Sequence, residues 1–406
     1  MTTLTTATVE PKRRMRGLAL GLDYGLALVV AALLILGLMM VYSTTFDWSL
    51  QDYGSPYAIF LRQAAWVAIG LAAATVVYRI GYDNLRRFSV PLMGLVLLGL
   101  VGVLLIGKTV FGAQRTLAGA SIQPGELAKL VTILYLADWL SSKGERLRRF
   151  GLGLVPFAIV IGLVAGLITL QPDLSMAILI VLVAVTMFFY AGANLVHLGI
   201  GLVLAAAAFA TLIKYYPHSA GRLNAYLAAL NDPTQAGWHI QQVLIALGSG
   251  GLFGKGLGQG IQKFGILPTP HTDSVFAVIG EELGLLGCVI VVILFALLAY
   301  RGFRIALRVE DSFGSVLAVG ITCALLYEAL INIAVMTALV PFTGLPLPFI
   351  SYGGSSMLVS LIGVGLLLSI SKRAALPSPP EDRAGSDRRR RDRRARLPGP
   401  RRRPGA

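Results

Sequence analysis

Residues 274–300 read SVFAVIGEELGLLGCVIVVILFALLAY. Apart from Glu281 and Glu282 the stretch is apolar. Its length exceeds the ~20 residues a helix needs to cross a ~30 Å hydrocarbon layer, where backbone amides find no partner outside the helix itself. Comparable runs recur at about 18–42, 58–80, 90–107, 125–141, 152–170, 174–192, 195–213, 313–338 and 355–371. They are long and uninterrupted, unlike the short alternating segments of a β-barrel. The expectation is an all-α, polytopic membrane protein with ten transmembrane helices. A composition of 56% hydrophobic and 14% charged residues over 406 positions fits that class and excludes an ordinary soluble domain.

Immediately upstream of the opening stretch stands GSGGLFGKGLGQGIQKFGILPTPHTD, residues 248–273. Seven glycines between Gly248 and Gly260 permit backbone conformations and close approaches that a Cβ resists. Pro268 and Pro270 then stiffen the chain before His271, Thr272 and Asp273. A flexible cradle thus ends in a rigid mount carrying one carboxylate at the edge of an apolar run. The whole of 214–273 is longer than a connection requires, which points to function. Within it Ala220–Leu230 and Trp238–Leu247 have the periodicity of amphipathic helices, separated by Asn231-Asp232-Pro233.

Charge fixes the expected orientation. Arg79, Arg86 and Arg87, then Lys143, Arg146, Arg148 and Arg149, then Arg301, Arg304 and Arg308 fall in even-numbered connections, and cytoplasmic connections are the basic ones. Both termini are therefore expected in the cytoplasm, with 214–273 as a large extracytoplasmic loop between helices 7 and 8. The run 18–42 is too long for a signal-peptide core and should stay as an anchor. Residues 1–17 read as a cytoplasmic N-terminal segment, 18–371 as the membrane domain, and 372–406 as a disordered basic tail. That tail holds thirteen Lys and Arg against four acids, much of the formal charge of +15. It has no aromatic residue, so it suits anionic headgroups and not nucleic acid. Cys288 and Cys323 lie inside apolar runs and read as small core residues, not a disulfide.

Ionisable side chains at bilayer depth are costly, by ~2.5–3.5 kcal/mol on insertion scales, so each invites a role. Glu126 and Lys129 share a helix face, either as an internal pair that fixes packing or as a substrate contact. Arg115 precedes their span and could clamp a phosphate or stay solvated. Asp173, in Gln171-Pro172-Asp173, could cap the following helix or take part in chemistry. Asp273 carries the same two readings, cap and catalyst. Glu328 reads as a protonated structural carboxyl, and His197 as a satisfied interfacial histidine. Gly254-Lys255-Gly256 lacks the Ser or Thr and the spacing of a phosphate-binding P-loop, and the histidines are not spaced as a zinc site.

A later stretch, Pro341-Phe342-Thr343-Gly344-Leu345-Pro346-Leu347-Pro348-Phe349-Ile350-Ser351-Tyr352-Gly353-Gly354-Ser355-Ser356, adds a further motif. With Gln171-Pro172-Asp173, Ala246–Gly251, His271-Thr272-Asp273 and Gly280-Glu281-Glu282-Leu283-Gly284, it resembles the SEDS family (shape, elongation, division and sporulation) over about residues 20–371. The departures are Ser175-Met176, Trp238-His239, Val243 and Ser274-Val275, none of which removes the carboxylate.

The resemblance implies a bacterial inner-membrane peptidoglycan glycosyltransferase that polymerises lipid II at the outer face, alongside a class B penicillin-binding protein and the division or elongation machinery. The division branch is the nearer of the two, with the elongation branch as the alternative. It makes Asp273 the catalytic carboxylate, taking a proton from the acceptor hydroxyl. Cations such as Arg115, Lys129 or Lys263 would stabilise the leaving pyrophosphate. Glu126, Asp173, His271 and Ser355 join them as substrate-side candidates. A divalent cation, Mg or Mn, is implied, and no organic cofactor. The rival readings are a lipid II flippase, built from the same kind of helices and intramembrane charges, and a non-enzymatic scaffold.

Overall fold

The computed structural model describes residues 22–374 apart from 107, 111–112, 117–122, 195, 198, 202, 205, 208–210, 212–216 and 232–236. Asp23 starts the bundle: its carboxylate accepts from Leu26 N–H at 3.0 Å, and the chain winds from there into α1, Tyr24–Tyr53. Gly54, at φ 66°, ends that helix. There follow α2 (Ala58–Ile80), the short α3 (Tyr82–Arg86), α4 (Ser89–Ile106), α5 (Pro124–Lys143), α6 (Val155–Leu170) and α7 (Leu174–Tyr190). Residues between 196 and 211 are helical where described. The long loop holds α8 (Pro217–Asn231) and α9 (Trp238–Ser249), at the two amphipathic stretches of the sequence. The chain then forms α10 (Val275–Arg308), α11 (Ser312–Met336) and α12 (Gly354–Ala374).

Six of these helices, counting α6 together with the π-helical turn before it, are long and apolar enough to cross a bilayer, and α4 and α7 are shorter apolar ones. A count of ten is not reached by that measure. The helix α5 fails it because Glu126, Lys129, Asp138 and Lys143 punctuate its sequence. One feature departs from the all-helical expectation: a two-stranded antiparallel hairpin, β1 (Lys108–Val110) with β2 (Ala113–Thr116), follows α4. Its strands are too short to show a period of two in the sequence.

The apolar windows of α11 and α12 are each 72% buried, against 28% for α2. The bundle is therefore built around α11 and α12, with α2 packed on α12 and α1, and its remaining face turned toward lipid. At one end, ion pairs join helix termini: Arg301 to Asp23 at 3.5 Å, Arg86 to Asp138 at 2.7 Å, and Arg373 to Asp83. These are the basic connections of the sequence. The start of α10, the end of α11 and the start of α12 gather at the opposite end. Both cysteines are free and buried, as expected of small core residues.

Candidate functional site

Three segments converge at that opposite end: the turn 268–274, the stretch 341–353 and the last turns of α11. The turn is closed by Thr272 and Ser274 N–H groups donating to Thr269 O at 3.2 and 3.3 Å. Ser274 Oγ donates to Pro268 O at 3.0 Å, and Ser274, not Asp273, is the N-cap residue of α10. Ser274 makes no side-chain capping bond to the helix. Three residues outside the turn hold its backbone. Asn332 on α11 donates from Nδ2 to Asp273 O and to Leu345 O, both at 2.8 Å. Ser351 Oγ donates to Thr272 O at 2.6 Å, and Tyr352 N–H to His271 O at 2.8 Å. The Asp273 side chain is partly exposed, and a Cβ at residue 344 would come within 3.2 Å of its Oδ2. Glycine there leaves the carboxylate uncrowded.

The imidazole of His271 lies 4.6 Å from the Trp48 ring and 5.9 Å from that of Tyr352. Burial lowers its pKa to about 4, so it is neutral at pH 7 and cannot act there as a cation. His239 on α9 is likewise lowered to about 4, by burial and then by Arg222. Its Nε2 is 2.8 Å from Ser274 Oγ. Since Ser274 spends its proton on Pro268 O, the neutral ring donates from Nε2. Arg222 lies over the Phe342 ring at 5.5 Å, and Phe342 lies 4.2 Å from His239. Arg62, exposed on α2, donates to Tyr53 Oη at 3.1 Å on the same face.

Behind this turn two acids hold the glycine-rich loop. Glu281 and Glu282 are fully buried in α10. Glu281 Oε1 accepts from Ile261 N–H at 2.9 Å and pairs with Lys255 Nζ at 2.8 Å. Glu282 accepts from Gly258 N–H at 3.0 Å and from Ser43 Oγ at 2.7 Å, and pairs with Lys263 Nζ at 2.7 Å. Lys263 also donates to Ser43 Oγ and Gly258 O, both at 2.9 Å. Its three N–H donors are therefore occupied, which departs from the expected phosphate contact. The loop reaches α10 at a kink: Gly284 has φ 68°, and a Cβ there would lie 2.4 Å from Gly254 N.

The other sequence candidates are carried by other elements. Lys129 and Glu126 do pair, at 2.8 Å, though out of line for a hydrogen bond, and Lys129 also meets Glu328 Oε2 at 2.6 Å. All three are buried between α5 and α11, and Glu328, read as a hydrogen-bonded structural carboxyl, accepts from the Lys129 ammonium that Glu126 shares. Asp173 caps α7, accepting from Met176 N–H at 3.3 Å. Ser355 is buried in the first turn of α12. Arg115 is on β2, and its side chain lies outside the described residues. His197 packs edge-on against Phe150 with its Nδ1 unpartnered among the described residues, unlike the satisfied histidine expected. A cavity of about 420 Å³ lined by Arg148, Phe189 and Asn194 is at the basic end, away from Asp273.

Sequence reasoning passed over Asn332 and Ser43 and left Glu281 and Glu282 without partners. The available signal was a polar residue one helical turn after Glu328 in an apolar run.

Fold and site define a multi-pass helical membrane protein with a partly exposed aspartate mounted at the end away from its basic connections. A family profile described as "Cell cycle protein", FTSW_RODA_SPOVE, matches residues 24–376, and the chain belongs to that family. It is 42% identical over 357 residues to a "Probable peptidoglycan glycosyltransferase FtsW" of Trichlorobacter lovleyi, covering 86% of this chain and 93% of the relative. It is 38% identical over 354 residues to "Stage V sporulation protein E" of Bacillus subtilis, covering 86% and 97%. A solved structure described as "Structural coordination of polymerization and crosslinking by a peptidoglycan synthase complex" superposes with a TM-score of 0.72 at 29% identity, covering 88% of this chain and all of that one.

Proposed function

We propose that this protein is a peptidoglycan glycosyltransferase that polymerises lipid II at the outer face of the bacterial cytoplasmic membrane, with Asp273 as its catalytic base. The observation that carries the reading is the mount itself: a partly exposed carboxylate whose main chain is fixed by Asn332, Ser351 and Tyr352. Fixing the backbone orients the carboxylate before substrate arrives. The acceptor is the 4-hydroxyl of an N-acetylglucosamine. Its oxygen attacks the anomeric carbon of the donor sugar and its proton passes to Asp273. The bond from that carbon to the phosphate oxygen breaks, and the pyrophosphate leaves with the electron pair. Arg62 and Arg222, cations on that face among the described residues, are suited to the departing charge. Lys129 and Lys263 are committed to buried acids.

Both termini are assigned to the cytoplasm, because the basic connections gather at the end away from Asp273. A septal role and a class B penicillin-binding protein as partner are part of the same reading, supported by the FtsW names of relatives and by the peptidoglycan synthase complex it resembles; ten spans rest on the hydropathy runs of the sequence alone. Among the described residues no group of three or more His, Cys, Asp or Glu is placed to hold a metal. A divalent cation would take its ligands mainly from substrate phosphates, so no step above is routed through it.

Purified protein with lipid II in detergent tests the assignment. Asp273→Asn should fold with an unchanged melting midpoint and form no glycan polymer. A polymerising Asp273→Asn variant would overturn the base assignment, and wild-type protein that binds lipid II without making polymer would favour transport.

A further inference from the structure

The glycine-rich loop is polar in sequence, yet its backbone is tied at many points to α10. Gly258, Ile261 and Gln262 donate N–H to the Glu281 and Glu282 carboxylates. Lys255 and Gly256 donate to the main-chain oxygens of the same two residues, both at 3.0 Å. In the other direction Leu285 N–H donates to Gly251 O at 2.9 Å and Leu286 N–H to Leu252 O at 3.2 Å. Unpaired backbone is costly near hydrocarbon, and each of these bonds lowers the cost of seating irregular chain there.

The side chains turned outward are apolar. Phe253 is 80% exposed and Leu252 65%, and Leu257, Ile261 and Phe264 are exposed as well. They continue an exposed apolar surface of a membrane-spanning helix: Leu285 and Leu286, tied to the loop by those hydrogen bonds, begin the exposed stripe of α10 that runs on through Val289 and Ile293. Depth follows from helix length. From Leu285 to Tyr300, the last residue before Arg301, α10 rises about 23 Å, less than the ~30 Å hydrocarbon thickness. The kink at Gly284 therefore lies below the outer surface of that layer.

We propose that residues 251–264 form a re-entrant segment seated in the outer leaflet, with Leu252, Phe253, Leu257, Ile261 and Phe264 against acyl chains. Glu281 and Glu282 are what allow glycine-rich backbone to sit there. The claim concerns membrane depth and is independent of the reaction Asp273 performs.

The test uses the full chain in nanodiscs of phosphatidylethanolamine and phosphatidylglycerol. Phe253→Cys, Leu252→Cys and, as an aqueous reference, Asp52→Cys are labelled with an environment-sensitive fluorophore. Unsubstituted chain, whose Cys288 and Cys323 are buried, gives the background. At 252 and 253 the emission should be blue-shifted and quenched several-fold more by lipids carrying a nitroxide on a shallow acyl carbon than by aqueous iodide. The order should reverse at 52. Iodide quenching at 253 equal to that at 52 would overturn the proposal. Shielding of 253 from both quenchers would do so too, because a protein surface would then cover the segment. The substituted side chains are exposed, so the core is untouched, and two positions guard against a local artefact.

Discussion

Lys263 is a sharp test of whether the buried acids of α10 are structural. Lys263→Met removes the ammonium and leaves Glu282, fully buried, with the Ser43 hydroxyl and the Gly258 amide as donors. Removing one partner of a buried pair costs ~3–5 kcal/mol. The two surviving hydrogen bonds place this case at the lower end, ~3 kcal/mol, which is roughly a hundredfold in the opening equilibrium of the loop. Hydrogen exchange at the amides of Gly258, Ile261 and Gln262 reads that opening directly. The double variant Lys263→Met with Glu282→Gln carries no stranded charge, so exchange and lipid II polymerisation should both return toward wild type. If Lys263 instead held substrate phosphate, the double variant would regain protection and stay inactive. Unchanged exchange in the single variant would refute the structural account altogether.

Gly284→Ala would add a Cβ 2.5 Å from Leu252 O at a left-handed position, so the loop should detach, with Lys255 and Gly256 amides exchanging freely; wild-type exchange would show the kink is dispensable. Asn332→Ala leaves the Asp273 and Leu345 carbonyls without their side-chain donor, at ~1–3 kcal/mol per unsatisfied group. Polymerisation should fall by an order of magnitude or more with a modest loss of melting temperature, and a full rate would argue against Asn332 as a positioning residue. His239 and His271 titrate near pH 4 when folded and near 6.5 when unfolded, so the unfolded state binds more protons between those values. Stability should therefore fall as pH drops from about 6.5 toward about 4 and be insensitive to these groups above that window. Melting in detergent should show the fall, and a His239→Gln, His271→Gln variant should show less of it; an equal fall in both would remove the histidines as its cause.

What the sequence made legible was local. The run 58–80 coincides with α2, and the three-residue spacing of Glu126 and Lys129 becomes a pair on one helix face. The partner Glu328 is 199 residues further along the chain, and no periodicity couples α5 to α11 across that distance. Lys263 shows the same limit: its partner Glu282 is 19 residues further along the chain, and nothing in the sequence pairs the two. The run 274–300 was drawn short because α10 continues past Arg301 into the basic end, where hydropathy no longer marks a helix. Asp273 was legible because proline stiffening and an abrupt return to apolar sequence both mark a mount. Asn332, Ser351 and Tyr352, which hold it, were visible only in three dimensions.

Glu328 and Asn332 stand four residues apart on α11 and so share one side of that helix, a single turn from each other. Glu328 is tied to α5 through Lys129, and Asn332 to the turn that bears Asp273. The two fastenings are consequently one mechanical unit. A force that tilts α5 against α11 reaches the turn bearing Asp273 through about 6 Å of helix, so a neighbour leaning on the flank of the bundle would be felt at that turn without ever touching it.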